Sequence, residues 1–231
     1  VGASIGDITA ALFTTIGVLS ALHQRHATGN GQKIDVAMLD CQVAILENAL
    51  ARYQVARENP KPLGNRHPTI TPFQVYPTAD DYVVVAMGND NLWRTFCLTV
   101  ERDDLLDDKR FATNGLRTEN LEALNQALEP LFRKKSTEEW IEVLENAGIP
   151  HARINHINEV LRHPQVLARQ MIVDLEDKKL PGVKLAGNPI KMGSVPDRSS
   201  RRRAPSIGEH NAELLGLSSE ELRRLSEDGV I

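Results

Sequence analysis

Asp7, in VGASIGDITAALFTT, is the side chain whose setting best suits chemistry. A carboxylate just ahead of an apolar helical period commonly caps the helix, accepting hydrogen bonds from first-turn amides that have no partner inside it. The same place suits reaction. A helix N-terminus favours the ionised carboxylate and offers N–H groups to a developing oxyanion, the two things a carboxylate attacking a thioester needs. Gly2 and Gly6 permit close backbone approach beside it. On pattern alone the N-cap is the expected role, and catalysis is compatible with it.

Other chemistries find little support. The 7 histidines include His23 and His26 on a helical stretch and His67 in a proline-rich one. No HExxH or CxxC sets ligands at metal spacing, so no metal site is expected. TGNGQ follows a helix and precedes an apparent strand, the reverse of a phosphate-cradling loop, and reads as a turn. There is no GxSxG elbow, and Cys41 and Cys97 lie in apolar helical patterns as reduced core thiols. RSSRRR, with Arg198 and Arg201 to Arg203, could hold phosphate but reads as a solvated connector. Trp93 and Trp140, at helical spacing among apolar neighbours, read as core. A net charge of -4 gives no reason to expect nucleic acid as a partner. Thr9, Thr14, Thr15, Ser20 and His23 interrupt the most apolar stretch, so no membrane span is expected. The expectation is a soluble cytoplasmic protein, with the mitochondrial matrix as the other compartment. Val1 stands where an initiator Met or a leader would, which suggests a piece cut from a longer chain.

The elements that must position these residues follow from periodicity. Ala11, Leu12, Thr15, Ile16, Leu19 and Leu22 recur at helical steps, predicting a helix from Ile8 to near His26. Gly29 to Gly31 turn the chain, and Lys33 to Leu39 alternates as a strand. Val43, Leu46, Ala49, Leu50 and Tyr53 predict a second helix with Gln42, Glu47 and Arg52 toward solvent. NPKPLGNRHPTITP, with prolines at 60, 62, 68 and 72, marks a domain boundary. Beyond it FQVYPTADDYVVVAM predicts a hairpin turning at Thr78 to Asp81, and Asn89 or Asp90 caps the next helix. Further helices are predicted over 118–133 and 136–146, the latter opened by a Ser136 and Glu139 capping box and closed by Gly148. A short helix broken near Pro164 and two facing strands, MIVDLED and VKLAGNPIKM, complete a compact α+β region. The tail is a proline and arginine loop leading to helices, with a capping box at Ser218 and Glu221.

Four segments in order, VGASIGDITAALFTTIGVLSALHQRHATGNGQKIDVAMLD, GNRHPTITPFQVYPTADDYVVVAMGND, GIPHARINHINEVLRHPQ and RRAPSIGEHNAELL, resemble the family III CoA-transferases of the formyl-CoA and carnitine CoA-transferase type. The resemblance implies an α/β fold: residues 1–67 as the end of a Rossmann-like large domain whose N-terminal part lies upstream, 68–185 as a small α+β domain, and 186–231 as a helical return segment packing on the large domain. It places Asp7 at the family's nucleophile position, carries Met38 as a candidate CoA contact and His67 as a candidate of the substrate loop. The substrates implied are an acyl-CoA and a small carboxylic acid, with coenzyme A as substrate and no prosthetic group. Interlocked homodimers are implied for the intact protein. Where the formyl-CoA transferase type has a glycine-rich loop over the nucleophile, this chain reads NRHPTI. The α-methylacyl-CoA racemase type is the other enzymatic reading, and a non-catalytic dimerisation or binding fragment the third. Racemase-type sequences tend toward GDFGGG, whereas this chain has GDITAA, which favours transfer.

Overall fold

The structure, a computed structural model, describes residues 2–46, 48–57 and 59–230. It divides into two compact units, Val1–Pro68 and Thr69–Ile231.

The first unit is helical. α1 (Ile5–Thr28) ends where Gly29 adopts φ 77, a left-handed cap that lets its N–H reach the Arg25 carbonyl at 2.8 Å. Gln32 reaches back to Gln24 at 2.6 Å, and Gly17 lets the Ile34 side chain approach α1 closely enough that a Cβ there would stand 3.2 Å from it. The segment 31–37 therefore runs back against α1. The strand expected at 33–39 does not form: the alternation is present, but this segment pairs with no strand among the described residues. Met38 instead opens α2 (Met38–Ala44), after an extended Ala37. The single helix expected over 43–53 is two, because α2 stops at Ala44 and α3 spans Asn48–Ala56; Glu47 lies outside the described residues.

The expectation that α1 is too interrupted to span a membrane is also corrected. By length and composition alone α1 is long and apolar enough. Its hydroxyls explain the difference. Thr9, Thr15 and Ser20 donate to the carbonyls of Ile5, Ala11 and Ile16 at 2.5, 2.8 and 2.8 Å, so their polarity is satisfied within the helix. Core helices of globular proteins pass the same test.

The second unit begins with the hairpin β1 (Phe73–Pro77) and β2 (Tyr82–Ala86), paired antiparallel with Val75 opposite Val84. α4 (Asp90–Thr99) is capped by the Asn89 side chain, which accepts from Leu92 N–H at 2.9 Å. α5 (Asp103–Asp107), α6 (Asn114–Glu119) and α7 (Leu121–Phe132) follow; the helix expected over 118–133 is broken at Asn120. α8 (Thr137–Asn146) opens with the Ser136 and Glu139 capping box. β3 (His151–Arg153), not anticipated, extends the sheet to the order β1-β2-β3. The core lies between this sheet and α4, α7 and α8: Tyr76, Phe96, Phe132 and Trp140 are buried, with Tyr76 and Trp140 rings 4.5 and 4.6 Å from that of Phe132. Trp140 Nε1 donates to the Phe132 carbonyl at 2.7 Å, so the indole keeps its hydrogen bond in the interior.

α9 (Ile157–Val160) and α10 (Pro164–Ala168) lead to a second sheet. There β4 (Ile172–Glu176) pairs antiparallel with β5 (Lys184–Ala186), as expected, and parallel with β6 (Ser200–Arg202). The arginine-rich stretch is thus part strand and not wholly a loop. α11 (Asn211–Leu215) and α12 (Ser219–Glu227), the latter with its Ser218 and Glu221 capping box, close the chain. Residues 186–231 group with 69–185 in the second unit.

Candidate active site

Asp7 occupies the third position of α1, inside the helix and not at the cap position expected of it; Ser4 is the N-cap residue and makes no side-chain cap bond. The capping role is therefore corrected. Residues 4 to 7 already turn, with Ile5 N–H on the Ala3 carbonyl at 2.8 Å and Ile8 N–H on the Ser4 carbonyl at 3.0 Å. The Asp7 side chain is solvent-exposed and makes no hydrogen bond or ion pair among the described residues. Between those bonded amides, the N–H groups of Gly6 and Asp7 have no backbone acceptor among the described residues. A carboxylate and two unspent donors thus share the positive end of a 24-residue helix.

α2 supplies the neighbouring wall. A Cβ on Gly6 would stand 3.8 Å from Met38 Cε and 3.8 Å from Gln42 Nε2, so the glycine lets α2 lie close beside Asp7. Met38 itself remains 52% exposed, free to contact a ligand. Gln42 was assigned to solvent from the sequence, yet its amide nitrogen is shielded and has no acceptor among the described residues. No sequence signal marked it, because its setting depends on how α2 crosses α1. Arg66 and His67 stand in the proline-rich segment after α3, beyond a left-handed Gly64 at φ 66. His67 is half-buried and already engaged by a neighbour. The structure thus brings Met38 to the helix that carries Asp7 and leaves His67 on a separate segment.

No group of three or more His, Cys, Asp or Glu arranged for a metal ion occurs among the described residues. Cys41 and Cys97 are both free and buried, and burial pushes the Cys97 thiol up to about 12. Neither is poised as a nucleophile.

What the arrangement can do is covalent catalysis by a carboxylate, with amide donors for the oxyanion and an open approach. Comparison with known proteins bears on the family. Residues 1–211 match the sequence profile of CoA-transferase family III. The chain is 35% identical to an acetyl-CoA:oxalate CoA-transferase of Acetobacter aceti over 92% of its own length and 54% of that protein. It is 35% identical to a succinate–glutarate CoA-transferase of Agrobacterium fabrum, over 93% of this chain and 53% of the other. Among solved structures, a CAIB/BAIF family protein from Brucella suis superposes with a TM-score of 0.79 at 32% identity, covering 94% of this chain and 56% of that one. The chain spans about half the length of the curated relatives it matches. With a profile match over residues 1–211, the chain belongs to CoA-transferase family III.

Proposed function

We propose that the protein moves coenzyme A from an acyl-CoA thioester to a carboxylic acid, with Asp7 as the covalent carrier. The observation that carries this reading is the Asp7 carboxylate, exposed and unpaired beside free first-turn amides, in a chain of this family.

Attack of an Asp7 oxygen on the thioester carbonyl forms a C–O bond and expels CoA thiolate, leaving a mixed anhydride. The thiolate then attacks the aspartyl carbonyl, forming a C–S bond and releasing the donor acid. The acceptor carboxylate adds to this aspartyl thioester and expels the thiolate again. Attack of the thiolate on the acceptor's carbonyl in the second anhydride yields the new acyl-CoA and restores Asp7. Each step exchanges one acyl–oxygen bond for one acyl–sulfur bond, so no oxidant, metal or net proton is required. The amides of Gly6 and Asp7 are the donors on hand for the oxyanions, and Met38 is a candidate CoA contact. The names of the relatives, which include oxalate, glutarate and mesaconate, support a small dicarboxylate as one substrate. Completion of the pocket by upstream chain, and an interlocked homodimer, belong to this proposal for the longer protein.

In the full-length protein, Asp7→Ala should lower CoA exchange at least about a thousandfold while circular dichroism stays unchanged. Hydroxylamine added during turnover should convert Asp7 to a hydroxamate detectable by peptide mass spectrometry. Undiminished exchange in the variant would falsify the assignment. A racemase, by contrast, would exchange the α-proton of its substrate with solvent deuterium and leave no adduct.

A further inference from the structure

Two Asn-Gly steps occur in the chain, Asn30-Gly31 and Asn114-Gly115, and the fold treats them in opposite ways. Asn30 is exposed in the turn that follows α1, and its side chain has no hydrogen-bond partner among the described residues. Its own N–H donates to the Thr28 hydroxyl at 3.3 Å. The Gly31 N–H has no backbone acceptor among the described residues, and nothing lies within 4 Å of where a Cβ on Gly31 would stand. A free side-chain amide and an unshielded backbone nitrogen are therefore neighbours in the chain.

Asn114 opens α6 with both ends of its amide spent. Oδ1 accepts from Thr71 N–H at 2.9 Å, and Nδ2 donates to the Thr69 carbonyl at 2.7 Å. The helical backbone of α6 also fixes Gly115 behind it. The same dipeptide is thus loose at one place and clamped at the other.

We propose that Asn30 is a site of spontaneous deamidation. The Gly31 nitrogen attacks Asn30 Cγ, forming a C–N bond that closes a cyclic succinimide, and the proton it loses leaves with the side-chain nitrogen as ammonia. Water then opens the ring, at the side-chain carbonyl to give aspartate or at the main-chain carbonyl to give isoaspartate. Glycine favours the closure because no Cβ crowds the attacking nitrogen and its backbone bends freely. Either product sets a carboxylate just past the C-terminal end of α1, where the helix dipole disfavours negative charge. Isoaspartate also lengthens the backbone ahead of residues 31–37, the segment whose Gln32 holds Gln24 at 2.6 Å and whose Ile34 lies against Gly17. Ageing of this turn loosens the run that leads into α2. The inference does not rest on Asp7 or on the CoA-transfer reading.

Tryptic peptide mapping tests it, since residues 26–33 and 111–117 fall on separate peptides. The full-length protein is held for days at mildly alkaline pH, native and in urea, and the share of each peptide converted from amide to acid is followed by mass spectrometry against an unaged control. In the native protein Asn30 should convert at least about tenfold faster than Asn114, whose two amide bonds must first break. In urea the two rates should converge, because each asparagine then has the same following residue and no structure around it. Gly31→Ala, at a position with room for the methyl group, should slow the conversion of Asn30 and leave that of Asn114 unchanged. An Asn30 amide that persists, equal rates in the native protein, or a difference that survives in urea overturns the proposal.

Discussion

Arg117 has no exposed side-chain surface and spends its donors on three separate parts of the second unit. Nε donates to the Thr71 carbonyl at 2.7 Å, Nη1 to the Phe111 carbonyl at 2.9 Å and Nη2 to Asp90 at 2.6 Å, while the guanidinium lies 5.3 Å from the Trp93 ring centre. Removing it strands buried carbonyls, so Arg117→Ala should cost about 3–5 kcal/mol in urea unfolding of the chain. Asp90→Asn should cost clearly less, because the carboxylate side is 54% exposed and water screens its share. Cys97 makes a second residue-scale prediction. With its thiol raised by burial to about 12, its peptide should resist iodoacetamide near neutral pH in the native chain and be alkylated once urea unfolds it. Asp7 was legible as a chemical candidate because its signal is local, a carboxylate between glycines and an apolar period. Arg117 was not: its partners lie 46 and 27 positions away in sequence, beyond any pattern read along the chain.

Among the elements, the β1–β2 turn is fastened to the start of α8. Asp80 accepts from Thr137 N–H at 2.8 Å and from the Thr78 hydroxyl at 3.0 Å. Those bonds, the Thr137 amide foremost, hold its carboxyl below the ordinary aspartate range. A lowered folded pKa means that the stabilisation is complete above the unfolded value and is lost as pH falls through the folded one. The wild-type chain should therefore exceed Asp80→Asn in urea midpoint at neutral pH, and the gap should close as pH drops below about 4. Ser136→Ala, which removes half of the α8 capping box, should cost about 1 kcal/mol. The Ser136 and Ser218 capping boxes and the hairpin were readable, since each is a contiguous run whose partner lies within a few residues. The strand expected at 33–39 failed for the opposite reason. Alternation shows that a segment can have two faces, but pairing decides whether it becomes a strand, and here Ile34 lies against Gly17 of α1.

At the scale of the molecule the two units differ in what holds them. The second encloses a contiguous aromatic and aliphatic core. In the first, Thr9 and Cys41 are the buried residues among those described, while Ile8, Leu12, Ile16, Leu19 and Leu22 stand 47 to 61% exposed along α1. Native-state hydrogen exchange should accordingly show α1 to α3 far less protected than α7 and α8. The chain should also bind the dye ANS, and Leu12→Gln with Leu19→Gln should reduce that fluorescence. The division between units falls at Pro68, within the proline-rich stretch, but nothing in the sequence marked the solvent-facing character of α1. Its period marks an apolar stripe and is silent on whether anything covers it.

That uncovered stripe carries a consequence for the chain's life inside a cell. Protein quality control samples accessible aliphatic surface, and a folded chain that displays it permanently is triaged alongside unfolded ones. With 6% of its most apolar window buried, α1 should leave this polypeptide open to such sampling for as long as that flank stays uncovered. Abundance should then track the supply of whatever masks it more closely than it tracks the melting point of the second unit.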